Sequence, residues 1–157
     1  IARGAIQPLS AFKASEHCAL AFPGGFGAAK NLTTFIDQGD KAQLYADVNS
    51  AVTDAMARKL PLLALCAAPL VLGIAARDAG LSGVRLTFGD CEGPAMNAAL
   101  AAWGQTHVVT PLEQACVDSK HRMISAPAYM YGDAKPAEVF ASIQAAVKAL
   151  DEMLAAA

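Results

Sequence analysis

One cysteine stands where this sequence could do nucleophilic chemistry. Cys66 follows an apolar run in LPLLALCAAP (60–69), and small residues able to open a helix come after it. A thiol at the C-terminal end of a buried strand lies at the edge where open α/β sheets carry their chemistry. The first turn of the next helix would bring unpaired N–H groups and the positive end of its dipole, which favour a thiolate. The same residues also suit a buried structural cysteine, because free cysteine is among the most buried residue types.

A second stretch supplies possible partners. The apolar segment 18–22 runs into Pro23-Gly24-Gly25-Phe26-Gly27. Paired glycines after a strand adopt backbone geometries closed to other residues and let amides approach a ligand closely. The backbone amides of Gly25 and Ala67 are therefore the expected donors to an oxyanion formed at Cys66. The simpler alternative is a tight turn. Three loops, 23–31, 66–69 and 126–130, can meet at one sheet edge. From the rim, Asn31 and Tyr129 would add polar contacts to a substrate. Asp90 and Glu92 follow another strand end, where a carboxylate either approaches the cleft or caps a helix. No base is evident. His17 and His107 are expected at the N-terminal ends of strands, facing the wrong edge, and His121 in a solvated turn. Cys18, Cys91 and Cys116 lack a comparable loop context. No cofactor site is expected, and the four cysteines have no metal-ligand spacing.

The elements that would position these groups alternate. Strands are expected at 18–22, 60–65, 84–88, 107–109, 115–118 and 123–125. Helices are expected at 41–59, 67–79, 92–103 and 135–154, with 28–40 polar and turn-rich. Pro69 and Pro136 fit first helical turns, and Val139, Ile143, Val147, Leu150 and Leu154 form an apolar stripe. Such alternation implies a parallel sheet covered by helices on both faces. The chain has 157 residues, which suits one domain, and 55% of them are hydrophobic against 17% charged. That thin charge leaves surface for a partner to cover. A net charge of -2 with no basic tract argues against nucleic-acid binding. No apolar run reaches membrane-spanning length. Scattered cysteines fit a reducing intracellular compartment.

PGGFGAAKN (23–31), LCAAP (65–69) and SAPAYM (125–130) resemble the ElbB/ES1 branch of the class I glutamine amidotransferase-like superfamily, which also holds PfpI-type proteases and the Parkinson-associated deglycase. IARG (1–4) is similar to this branch as well. The resemblance covers nearly all of the chain. It implies a flavodoxin-like three-layer α/β sandwich with a mostly parallel sheet, in which Cys66 occupies a strained nucleophile elbow beside an oxyanion pocket of Gly25 and Ala67. It also implies a glutathione-independent, glyoxalase-like conversion of small dicarbonyls to hydroxy acids. The bacterial branch is linked by name to isoprenoid production, and eukaryotic relatives are organellar. The expected compartment is thus the cytoplasm for a bacterial chain and the mitochondrion or plastid for a eukaryotic one.

The departures from the family pattern shape further expectations. Glutaminases of the superfamily place a His and a Glu late in the chain, and Pro127-Ala128-Tyr129 offers neither, so glutaminase activity is not expected. The protease and deglycase branches place a His after the strand matching 84–88, where this chain has Gly89-Asp90. The family's elbow-holding glutamate belongs to a leading strand-helix unit, which 1–157 lacks as a single, N-terminally incomplete domain. That leading strand is expected to neighbour both the 20–22 strand and the elbow strand. Another segment or subunit would then complete the N-terminal side of the sheet, making the chain an oligomer or assembly subunit. A catalytically inactive structural or interaction subunit is the alternative to the enzyme.

Overall fold

The computed structural model describes Gly4, residues 6–90 and residues 94–156. Cys91 and Glu92 lie outside the described residues. Six strands and six α-helices are described: β1 (Leu20–Phe22), α1 (Phe26–Asn31), α2 (Phe35–Gln38), α3 (Ala46–Ala57), β2 (Leu62–Leu65), α4 (Pro69–Asp78), β3 (Arg85–Leu86), α5 (Pro94–Ala102), β4 (Thr106–His107), β5 (Cys116–Asp118), β6 (Met123–Ala126) and α6 (Pro136–Ala155).

The main sheet has the order β1-β2-β6-β5. β1 pairs parallel with β2, Leu20 facing Leu62, and β2 pairs parallel with β6, Leu62 facing Met123. β5 returns antiparallel along β6. β3 and β4 form a separate parallel pair. The result is an α/β three-layer sandwich with a mixed, mostly parallel sheet.

Side chains alternate across a strand, so the run Leu62-Leu63-Ala64-Leu65 serves two cores. Leu62 and Ala64 join Phe22, Met123 and residues of α3, α4 and α5 in one cluster. Leu63 and Leu65 join Ile124, Ala126 and the Val139–Ala146 face of α6 in the other. Burial on both faces is why β2 reads as a continuous apolar run rather than an alternating one.

Several boundaries differ from the sequence expectation, each for a local reason. The period assigned to 41–59 is helical only from Ala46. Leu44 fits the apolar stripe but instead forms an isolated antiparallel bridge with Thr33. The 23–31 loop contains α1, which starts after Gly25 (φ 80°) and buries Ala28 and Ala29. His107 closes β4 rather than opening a strand. The largest correction concerns the leading strand. β1 and β2 pair directly along three residues, so no strand can lie between them. Of these two strands, β2 is paired on both sides and β1 keeps its outer edge without a strand partner among the described residues.

Candidate active site

Cys66 follows directly on β2 and has φ 57°, a left-handed conformation uncommon outside glycine. Its amide donates to the Ala126 carbonyl at 3.0 Å, which ties the elbow to the end of β6. Ala68 N–H donates back to Leu65 O at 2.9 Å, and Pro69 then occupies the first turn of α4, where no amide hydrogen is needed. The thiol is half-buried, and its Sγ lies 3.7 Å from Met130 Sδ.

The glycine loop presses on this elbow. A Cβ on Gly24 (φ 92°) would fall 2.3 Å from Leu65 O and 2.9 Å from Cys66 Cβ. Gly24 is thus the residue that admits the loop, and Gly25 follows it exposed, at the start of α1. Within the described residues neither the Gly25 N–H nor the Ala67 N–H donates a hydrogen bond. The fold therefore brings together Cys66, the Gly24-Gly25 turn, Ala67 and Met130.

The remaining candidates form the rim or lie apart. Tyr129 is 61% exposed in the short turn that ends at Met130. Asp90 is exposed in the turn after Gly89. Gly89 (φ 88°) abuts the Tyr131 ring, whose hydroxyl donates to Thr110 O at 2.8 Å, so this turn packs against the loop that carries Tyr129. Asn31 is exposed at the last position of α1 and folds back over Gly27. At 1.5 Å per residue, it stands about 9 Å along the helix from Gly25.

Each histidine has another place. His17 stacks on Phe12 at the surface. His107 Nε2 accepts the Phe88 N–H at 3.1 Å, which puts the neutral ring's proton on Nδ1. Burial pushes the His107 pKa down, in keeping with a neutral ring. His121 Nδ1 lies 2.9 Å from Asp118 Oδ2 in the turn between β5 and β6. Among the described residues, neither a histidine nor a carboxylate hydrogen-bonds Cys66.

Asp118 is buried, which by itself would raise its pKa. The Arg85 amide, together with the ring and amide of His121, outweighs this and holds it below the ordinary carboxylate value. A lowered folded pKa stabilises the protein fully above the unfolded value, about 3.9. That contribution is lost as pH falls through the lower folded value. Asp118→Asn is therefore expected to flatten the acid side of the stability profile, measured by urea unfolding between about pH 5 and pH 2.

Two supports escaped the sequence reading. Ser142 of α6 is fully buried, and its hydroxyl accepts the Ala128 N–H at 3.0 Å. Ala128 is itself left-handed (φ 48°) and starts the turn that carries Met130 over Cys66. Ser142→Ala is expected to leave that buried amide unpaired and to cost about 1–3 kcal/mol in urea unfolding. Met130 was legible only as part of the 126–130 loop, since a methionine in a loop carries no local signal of a sulfur contact.

No family model matches the chain. A rat protein named ES1 protein homolog, mitochondrial, is 36% identical over 137 residues, covering 83% of this chain and 50% of its own length. The human glutamine amidotransferase-like class 1 domain-containing protein 3, mitochondrial, is also 36% identical over 137 residues, with 83% and 49% covered. The chain thus spans about half the length of the curated relatives it matches. Among solved structures, an isoprenoid biosynthesis protein with amidotransferase-like domain from Ehrlichia chaffeensis superposes with a TM-score of 0.79 at 25% identity, covering 92% of this chain and 63% of that one. The Francisella tularensis Rapid Encystment Protein 24 kDa gives 0.63 at 20% identity, covering 94% and 63%, a likeness of fold.

Proposed function

The chain belongs to the ElbB/ES1-like branch of the class I glutamine amidotransferase-like superfamily, and from that premise we propose a cysteine-dependent, glutathione-independent conversion of small dicarbonyls to hydroxy acids. The observation that carries this reading is the left-handed Cys66 at the C-terminal end of β2, with the Gly24-Gly25 turn against it. Holding a non-glycine residue in this conformation costs about 1–2 kcal/mol, and such strain clusters at functional sites.

In this proposal the Cys66 sulfur adds to the aldehyde carbon of the dicarbonyl. A C–S bond forms, the carbonyl electron pair moves onto oxygen, and the thiol proton ends there, giving a hemithioacetal. The Gly25 and Ala67 amides face that oxygen as its charge develops. Tyr129, Asn31 and Asp90 are proposed to contact the substrate from the rim. A proton then moves from the former aldehyde carbon to its neighbour, giving a thioester of the hydroxy acid. Water cleaves the thioester and restores the thiol. The sum is dicarbonyl plus water to hydroxy acid, so no oxidant or reductant is consumed. The test is methylglyoxal turnover without glutathione, with lactate followed by NMR. Lactate formation at a rate no different from buffer would reject the proposal.

A second reading, an inactive member serving as a structural or interaction subunit, is favoured by one observation. The recorded contact of the Cys66 sulfur is a thioether, Met130, rather than a base. Both readings share a partner. β1 is an edge strand with Ala21 exposed, and an unpaired edge accepts another strand. We propose that a further protein segment or subunit pairs there and completes the single domain that 1–157 contributes to. Sedimentation at micromolar concentration is expected to give an oligomer, and a cooperatively folding monomer would contradict this. The names of the rat and human relatives place those proteins in mitochondria. A mitochondrial or similarly reducing compartment is proposed here too, consistent with Cys18, Cys66 and Cys116 all being free thiols.

A further inference from the structure

We propose that Met130 sizes the electrophile that reaches Cys66, confining the site to small α-oxoaldehydes with a hydrogen or a methyl group beyond the second carbonyl. This rests on the reading of Cys66 as the nucleophile, and it adds the residue that selects the substrate. Among the described residues, Met130 is the side chain hydrogen-bonded to the thiol, with Cys66 Sγ donating to its Sδ at 3.7 Å. A thioether is a weak acceptor with no proton of its own, so Met130 serves neither as a base nor as an oxyanion donor. The hydrogen bond also belongs to the free thiol alone, because the S–H hydrogen is lost once the C–S bond forms. What Met130 brings to the adduct is bulk.

The geometry makes that bulk matter. Non-bonded heavy atoms touch at about 3.5–4.0 Å, so Met130 already lies in contact with Sγ. A carbon bonded to Sγ on that side, with its substituents, has to displace it. The glycine loop leaves no comparable room, since a Cβ on Gly24 would fall 2.9 Å from Cys66 Cβ, and that wall is backbone. The wall that a substrate can push is therefore Met130.

Two observations mark this wall as built into the fold. The first is that its turn is anchored on both sides. Ala128 N–H donates to the buried Ser142 Oγ at 3.0 Å, and Met130 N–H donates to Pro127 O at 3.0 Å. Immediately after it, the Tyr131 hydroxyl donates to Thr110 O at 2.8 Å and the ring lies against Gly89. The second is where the side chain goes. Ala128 and Cys66 pack in the cluster under α6, whereas the half-buried Met130 packs against the cluster of Phe22, Ala28 and Ala64. The two clusters lie on opposite faces of β2, so the turn carries Met130 across the sheet edge at Cys66. A flexible methionine on a fixed turn yields to a small group by rotation about its own bonds, and yields less to a ring.

The test compares the parent with Met130→Ala, Met130→Val and Met130→Leu. Cys66 is alkylated with N-methylmaleimide and with N-phenylmaleimide, and each rate is divided by that of the exposed Cys18 in the same sample, read by peptide mass spectrometry. In the parent, the phenyl-to-methyl ratio is expected to be lower at Cys66 than at Cys18. Met130→Ala is expected to raise the Cys66 ratio about tenfold or more, and Met130→Val to raise it less. Met130→Leu, close in volume, is expected to keep the parent value. The ratio of phenylglyoxal to methylglyoxal turnover should follow the same order. These are ratios within one sample, so a general loss of stability does not move them, and Met130→Val carries the test if the alanine variant does not fold. Turnover of neither aldehyde would reject the activity and leave the maleimide ratios to decide on Met130. Maleimide ratios unchanged by truncation would overturn the proposal. So would a Met130→Leu ratio as high as that of the truncated variants, or turnover ratios that stay at the parent value in an active truncated variant.

Discussion

Gly24→Ala is expected to destabilise the protein by about 3 kcal/mol or more and to lower its melting temperature by about 10 °C. Two costs add at this position. The backbone is left-handed (φ 92°), where a Cβ is strained whatever the surrounding space. The added Cβ would also sit 2.3 Å from Leu65 O, a backbone atom of the central strand that cannot swing aside. Relief requires the 23–25 turn to back away from the elbow, which would withdraw the proposed oxyanion donor, the Gly25 amide, from Cys66. Dicarbonyl turnover should fall with the displacement even at temperatures where the variant stays folded. Gly25→Ala makes an informative control. It is also left-handed (φ 80°), but a Cβ there meets nothing within 4 Å, so the steric part of the cost should vanish. Equal stability losses for the two variants, read by urea unfolding, would contradict the close approach at Gly24.

Cys66→Ser is expected to reduce methylglyoxal turnover by about a thousandfold or more while leaving the fold intact, because a hydroxyl at its ordinary pKa is a far weaker nucleophile than a thiol. The conformational strain at this position adds a second, opposite-signed expectation. Cys66→Gly removes the side chain and relieves the left-handed backbone, whereas Cys66→Ala removes the sulfur and keeps the strain. Cys66→Gly should therefore be more stable than Cys66→Ala by about 1 kcal/mol. Relief of backbone strain at a position whose side chain the proposed activity needs is the pattern of a strained functional residue. Unchanged turnover in Cys66→Ser would remove Cys66 as nucleophile.

The elements that frame this site were readable because their signals are strong and local. Leu62–Leu65 is a continuous apolar run and became the doubly buried β2. Pro136, Glu138 and the stripe from Val139 onward marked α6, where Glu138 accepts the Lys135 amide at 2.7 Å. Cys66 was legible as a strand-end thiol by the same logic. Its left-handed backbone was expected only through the family resemblance to a strained elbow, since nothing about a cysteine by itself favours φ 57°. Gly24 and Gly25 look alike in sequence, and only tertiary contact separates the one that admits the turn from the one that offers an amide. Strand order was misread for a related reason. Which strand lies beside β2 depends on long-range pairing, and β1 took the place where a leading strand had been expected. α1 was missed because FGAAKN is short and follows glycines, so its loop signal outweighed the helix preference of Ala28 and Ala29.

The central claim is that Cys66 is a nucleophile whose surroundings stabilise the oxygen of a dicarbonyl adduct. Cys18, an exposed free thiol in the same chain, provides an internal reference. The direct measurement is the methylglyoxal concentration that half-protects each cysteine from alkylation by iodoacetamide, read by peptide mass spectrometry. Oxyanion donors at the elbow predict half-protection of Cys66 at a concentration at least about tenfold lower than that for Cys18, a difference of about 1.4 kcal/mol in adduct stability. Equal protection of the two cysteines would contradict the account.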